Sequence, residues 1–240
     1  MKKYFYDLHN HSCLSPCADD DNTPNNLCGM ASLSGIDILA LTDHNTCKNC
    51  PSFFEAAEKY GIIPIAGMEL TTSEDIHVVC LFENLEDAMS FDHFIEGSRL
   101  LIKNRPEIFG EQLILDKDDN LIGKEEFLLS NATDISIENA PDLVHQFNGI
   151  CYPAHIDRNA NGIIEILGTF PVTPYFKCFE ICNEDKLAEY VTKYDLKEKL
   201  AIISSDTHHL EDMRDGINYF VTEDSLDGEA VRKKLFELLR

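Results

Sequence analysis

Short apolar runs with strand character alternate along this chain with longer amphipathic stretches, and that alternation restricts the fold more than any other feature. Residues 4–9, 36–42, 62–68, 76–82, 149–154, 176–181, 201–205 and 217–221 read as strands. Residues 26–34, 52–60, 85–101, 141–147, 184–194 and 226–239 read as helices, the second opened by Pro51 and ended by Gly61. Pro64 interrupts the third strand. The βα rhythm predicts an α/β fold with a mostly parallel sheet and helices outside. It fails between about 104 and 130, where Gly110, Gly123 and the acidic run 116–119 predict an inserted lobe or lid on a single catalytic domain spanning 1–240. Seven or eight such units fit a small barrel better than an open doubly wound sheet, because chemically active residues fall at the C-terminal ends of several strands.

Those residues recur in one pattern. DLHNHS puts Asp7, His9 and His11 at spacing two, on one face of a strand that continues to His11. TDHN places Asp43 and His44 after a buried strand. GMELTTSEDIH places Glu69 at the end of one strand and His77 at the start of the next. PAHIDR places His155 after another, and SSDTHH repeats the spacing of two with Asp206 and His208. Histidines satisfied only by core hydrogen bonds would be scattered differently, so the pattern predicts a shared metal site. Imidazole-rich donors suit Zn, Fe or Mn better than Mg, and the donors are too many for one four-coordinate ion. Two or three divalent ions are expected, with Glu69 or Asp206 bridging adjacent ones. Such a centre could activate a bridging water and neutralise charge in an in-line displacement at phosphorus, although amide or lactone hydrolysis would use much the same machinery.

Composition removes several alternatives. Against 43 Asp and Glu stand 20 Lys and Arg, a formal charge of -23, which disfavours broad capture of nucleic acid or of an anionic membrane. No apolar run has the length of a membrane span, and no long apolar segment follows the two N-terminal lysines as in a signal peptide. Nine cysteines, an odd number in a chain too long to need disulfide staples, point to a reducing cytoplasm. The Cys47–Cys50 pair has the CxxC spacing without further redox context.

The ordered set DLHNHS, TDHN, GMELTT with His77, PAHIDR and SSDTHH resembles the PHP family, named for polymerase and histidinol phosphatase domains. The resemblance runs from Tyr4 to about Phe220. It implies a distorted seven-stranded (β/α) barrel with a trinuclear metal centre at the C-terminal strand ends, and metal-dependent phosphoesterase activity. It further implies His9, His11, Glu69 and Asp206 around one ion, with Glu69 bridging to a second held by His77 and His155. His44 and His208 would hold the third. Where some members carry one more ligand, this chain has SCLSPCADDD, so Cys17 aligns with that position and Asp19 or Asp20 could serve instead.

Phosphate needs cationic counter-charge. Arg158, three residues beyond His155, is the leading candidate, with Lys103, Arg105 and Arg214 as further substrate-binding candidates. Asp43 and Asp7 read as groups orienting the ligands, Asp43 also as a proton acceptor, and His208 or His209 as a proton donor to the leaving group. The expected function is hydrolysis of a small phosphomonoester or nucleotide through a metal-bridging hydroxide. The alternatives are exonuclease action on short single-stranded RNA or DNA ends, an amidohydrolase-type reaction, or a non-catalytic metal-binding module. No obligate protein partner is evident.

Overall fold

The elements begin and end where local chemistry dictates, and the computed structural model describes all of residues 1–240. In chain order they are β1 (Lys2–Asp7), α1 (Pro24–Leu33), β2 (Ile38–Leu41), α2 (Cys50–Tyr60), β3 (Ile63–Thr71), β4 (His77–Phe82) and α3 (Leu85–Glu96). Then come α4 (Pro106–Phe109), β5 (Leu113–Leu115), β6 (Leu121–Lys124), α5 (Ala140–Gln146), β7 (Ile150–Pro153) and α6 (Ile163–Leu167). The chain finishes with β8 (Cys178–Glu180), α7 (Leu187–Lys193), β9 (Leu200–Ile202), β10 (Asn218–Thr222) and α8 (Gly228–Leu239). Thr23 caps α1 by accepting from the Asn26 N–H at 3.2 Å, with Pro24 in the first turn. Asp227 caps α8 in the same way, accepting from the Ala230 N–H at 2.8 Å. The third helix is shorter than the periodicity of 85–101 suggests. It stops at Gly97, which leaves Leu100 and Leu101 exposed.

Six strands form one curled sheet in the order β10-β1-β2-β3-β4-β7, while β8 and β9 pair separately. The ladder is therefore partly open and is not a closed seven-stranded barrel. Only isolated backbone bonds join the pair to the sheet, Ile156 N–H to Glu180 O at 2.9 Å on one side, and Asp206 N–H to His9 O and His11 N–H to Thr207 O, both at 3.0 Å, on the other. Nor is the six-stranded sheet mostly parallel. The β1–β2 and β2–β3 pairings are parallel, but β10–β1, β3–β4 and β4–β7 are antiparallel. For the two pairings of β4 the cause is the short 72–76 connection, which is long enough for a hairpin and too short for a crossover helix. Reversal of β4 matters for the site, because its first residue, His77, comes to lie among the last residues of its neighbours. Pro64 is tolerated as the second residue of β3, opposite Leu39, where the ladder is only starting.

Alternation along the strands divides the core. Leu39 and Leu41 face a cluster of 35 buried residues beneath the outer helices, whereas Ile38 and Ala40 face an inner cluster of 16. Helix α8 fills that inner cluster with Val231, Leu235, Phe236 and Leu239. No helix is long and apolar enough to cross a membrane.

Gly67 leaves no room for a side chain between β3 and β4. A Cβ there would lie 2.5 Å from Cys80 O and 2.9 Å from Leu81 Cδ2. Gly67→Ala is expected to cost about 1–3 kcal/mol, read as a lower urea midpoint with an unchanged slope. An unchanged midpoint would show that the two strands separate freely at this point.

Candidate metal centre

Glu69, at 1% exposure, lies within 3.4 Å of five imidazoles. Its Oε1 is 2.8 Å from His77 Nδ1, 3.0 Å from His155 Nε2 and 3.4 Å from His9 Nε2. Its Oε2 is 3.1 Å from His44 Nδ1 and 3.3 Å from His11 Nε2. Asp206 Oδ1 approaches His9 and His11 at 3.4 and 3.2 Å, and Arg158 Nη1 touches Asp206 Oδ2. The residues arrive from separate strand ends. His9 and His11 follow β1, His44 follows β2, Glu69 lies near the end of β3 and His77 opens β4. His155 follows β7, and Asp206 and His208 follow β9. His155 and Asp206 adopt positive φ, 26° and 50°, where a non-glycine backbone is strained, so the sharp turn after each strand is held by its surroundings.

Outer contacts set the tautomers. His9 Nδ1 faces both oxygens of Glu180, at 3.0 and 3.1 Å, and donates to that buried carboxylate. Ser15 Oγ donates to Asp43 Oδ1 at 2.7 Å, so the hydroxyl accepts from His11 Nδ1–H at 3.0 Å. His208 Nδ1 donates to Asp206 O at 2.8 Å. In each ring Nε2 is left as the inward donor atom, the arrangement by which outer partners orient metal-ligating histidines. His9 Nε2 and His11 Nε2 then face each other at 3.1 Å, and two lone pairs at that distance require a positive charge between them. Without a metal, protons serve. Burial opposes charge on His9, but Glu180, Asp206 and Glu69 outweigh it and hold its pKa well above the ordinary value. Burial also opposes charge on His11, yet Asp206 and Glu69 push it up to about 9. Burial would raise the Glu69 carboxyl, but His77, His9 and His44 hold it well below the carboxylate range.

The donor set fits divalent ions. Bonds of about 2.0–2.1 Å to one cation place neighbouring N and O donors about 3 Å apart, as many of these are. Three groups have donor atoms within 4.8 Å of one another: His9, His11 and Asp206; His44, Glu69 and His77; and His11, His44 and His208. The buried His44 Nδ1 and both oxygens of Asp206 have no aligned hydrogen-bond partner. The cluster therefore has the capacity for one or more divalent ions. A cavity of about 190 Å³ opens over it, with Arg158 and Asn161 on its wall.

The other sequence candidates divide. Cys17 Sγ lies 3.2 Å from His44 Nε2, whereas Asp19 turns to His209 at 3.5 Å and Asp20 is exposed. Asp43 faces away from the cavity, accepting from Ser12 N–H, Ser12 Oγ and Ser15 Oγ at 2.6–2.7 Å, and so braces the loop that carries His11. Three basic candidates lie elsewhere. Lys103 pairs with Glu126 at 2.8 Å, Arg105 stacks over Phe109, and Arg214 Nη1 donates to Cys182 O at 3.0 Å. None of the three lines the cavity, because the first two follow the early end of α3 out to the surface and the third is drawn to a backbone carbonyl. Sequence reasoning missed Glu180 and Ser15. A charged residue inside the apolar run 176–181 was the available signal for Glu180, and none existed for Ser15.

Comparisons with known proteins point to a family and a fold. The PHP domain family model matches residues 7–166. An error-prone DNA polymerase of Symbiobacterium thermophilum is 33% identical over 96 residues, 40% of this chain and 9% of that one. A 5'-3' exoribonuclease of Haemophilus influenzae is 32% identical over 112 residues, 45% of this chain and 39% of that one. The chain thus spans well under half the length of these relatives. Among solved structures, a lesion-specific endonuclease of Pyrococcus furiosus superposes with a TM-score of 0.61 at 16% identity, covering 97% of this chain and 55% of that one. An amidohydrolase of Chromobacterium violaceum does so with 0.58 at 17%, covering 95% and 96%. At such identities the likeness concerns the fold.

Two outcomes are expected. Cation loading at pH 7 releases protons from His9 and His11, and affinity tightens as pH rises toward about 9. Calorimetry in buffers of different ionisation enthalpy reads both, and loading without proton release would contradict the protonated imidazoles. Ser15→Ala, which frees the His11 ring, is expected to weaken metal affinity about 10–100-fold in chelator competition. Unaltered affinity would mean that His11 is oriented by other contacts.

Proposed function

The chain belongs to the PHP domain family, and from that premise we propose that it is a metal-dependent hydrolase of phosphate esters acting at the ends of short single-stranded RNA or DNA. The observation that carries the hydrolase reading is the convergence of five imidazoles on Glu69, with Asp206 and Arg158 alongside. In this reading His9, His11, Asp206 and Glu69 would hold one ion, and Glu69 would also serve a second with His77 and His155. His44 and His208 hold a third, with Cys17 beside them. Two or three ions of Zn, Fe or Mn suit this nitrogen-rich shell. When bound, divalent cations lower the pKa of water and offset charge on phosphoryl oxygens.

The protein's own groups then have defined tasks. Glu180, Ser15 and the Asp206 carbonyl hold the ligating imidazoles with Nε2 turned inward. Arg158, half exposed with one nitrogen on Asp206, presents the rest of its fork to the cavity and receives nonbridging phosphate oxygens. His208, about a quarter exposed (25%), has its pKa lowered to about 4, with burial as the main cause and His11 as the next. It stays neutral at pH 7 and suits coordination better than proton donation. The segment 104–130 packs against the 12–16 loop through Leu113 N–H to Cys13 O at 2.9 Å, and in this reading shapes the cavity mouth.

Support for nucleic-acid ends comes from the two sequence relatives, a polymerase and an exoribonuclease. Support for short strands comes from the charge of -23, which disfavours long backbone contacts, and from a cavity of about 190 Å³ that admits little beyond a terminal phosphate and its sugar. Those last two observations also favour a second reading, a small phosphomonoester or free nucleotide.

A hydrolysis screen of the Zn-, Mn- and Fe(II)-loaded protein separates the two. Expected is stepwise release of mononucleotides from short RNA or DNA, with kcat/KM at least about tenfold above that for p-nitrophenyl phosphate. Phosphate release from nucleoside bisphosphates alone would favour the second reading. His9→Ala and Glu69→Ala are each expected to lower activity more than about 100-fold with circular dichroism unchanged, since loss of an orienting partner alone costs up to that much. Activity that survives both would remove the metal centre from the mechanism.

A further inference from the structure

A second cavity, of about 330 Å³, lies at the opposite end of the strands from the metal cluster. Ile150 opens β7 and Lys177 immediately precedes β8, and both line it. His155 and Glu180, just beyond or at the far ends of the same strands, belong to the metal site. Five residues of extended chain separate Ile150 from His155 by about 16 Å, so the two cavities are distinct.

Its chemistry is opposite to that of the rest of the surface. His145, Lys177 and Arg240 contribute cationic or hydrogen-bonding groups, and no Asp or Glu lines it. In a chain with 43 acidic and 20 basic residues, that is the reverse of the overall balance. The lysine–carboxylate pairs of the protein involve Lys48, Lys59, Lys103, Lys124 and Lys234, and leave Lys177 without one. Arg240 is partly engaged by Glu83 at 3.3 Å. Lys199 adds to the local charge. It neighbours Lys177 across the β8–β9 pair and has no carboxylate partner; its Nζ donates to Phe176 O and lies 4.1 Å from the centre of the Tyr175 ring. Lys177 has no acid to neutralise it in this cavity, and a bound anion would do so.

The remaining walls suit a flat apolar body. Ile150 and Leu239 provide an aliphatic surface, and Tyr175 stands at the rim with 67% exposure and no aromatic ring stacked on it. A volume of this size falls in the range of small-ligand pockets. Lys177, without a carboxylate partner, beside an exposed tyrosine whose ring carries no other aromatic group matches a planar base joined to a phosphate. We propose that this cavity binds a mononucleotide, with the phosphate on Lys177 and His145 and the base against Tyr175. The inference does not rest on the hydrolase reading.

Adenosine monophosphate, adenosine and inorganic phosphate are the probes, titrated by calorimetry into the metal-loaded full chain and its variants. Expected is a class of AMP sites that survives Arg158→Ala and is weakened at least about tenfold by Lys177→Glu. Tyr175→Ala should weaken AMP and leave phosphate unchanged, and adenosine should bind more weakly than AMP. Circular dichroism checks that each variant is folded. The proposal is overturned if AMP binding is lost in Arg158→Ala and unchanged in Lys177→Glu, which would place all of it at the metal centre. Absence of AMP binding up to ~10 mM, or adenosine binding as tightly as AMP, would overturn it as well.

Discussion

A carboxylate removed from water, with five imidazoles packed around it, is the interaction on which the rest of this structure depends. Glu69 ionised and alone at 1% exposure would be costly, and so would two imidazole lone pairs 3.1 Å apart. Each problem is relieved by the same remedy, positive charge in the small space that the side chains enclose. Protons on His9 and His11 supply it at neutral pH in the absence of metal, and divalent cations can replace them. The site is therefore an electrostatic arrangement first and a list of ligands second. Removing one partner from such a buried group leaves an uncompensated charge, a penalty of about 3–5 kcal/mol in comparable cases.

The sheet makes this arrangement available. Strands β1, β2, β3 and β7 all deliver their last residues to one end, and the reversed β4 delivers its first. Six different segments thus contribute to one small volume without any long loop. Glu180 extends the order by another layer, since it receives His9 Nδ1–H and also lies 3.3 Å from the His155 backbone N–H. Asp43 and Ser15 do the same for the loop carrying His11. At the opposite end of β7 and β8, Lys177 lines a cavity that no Asp or Glu lines, so that cavity differs in charge from the metal cluster.

Much of this was legible in advance, though unevenly. The spacing of two in His9–His11 and in Asp206–His208 is a local consequence of strand geometry, and a linear reading captures it. The helix starts at Pro24 and Gly228 fell within two residues of the periodic signal, as capping chemistry would suggest. The reach of Lys103, Arg105 and Arg214 was not legible, because a long flexible side chain goes where partners are, and those partners are Glu126, the Phe109 ring and the Cys182 carbonyl. Sheet closure was not legible either. A strand three residues long, such as β8 or β9, has too few ladder bonds to declare its neighbours.

The sequence by itself determined which chemistry is present: histidines and acids at successive strand ends, an α/β alternation, and the ordered motifs of the PHP domain family. Local periodicity and residue type carry that information, since each depends on neighbours only a few positions apart. Only the tertiary structure decided that Glu69 is central, that Glu180 and Ser15 set the tautomers, and that the sheet stays partly open in mixed orientation. Those are contacts between residues far apart in the chain, 171 positions for His9 and Glu180, and a distance of about 3 Å between them follows from how the whole core packs rather than from any local rule.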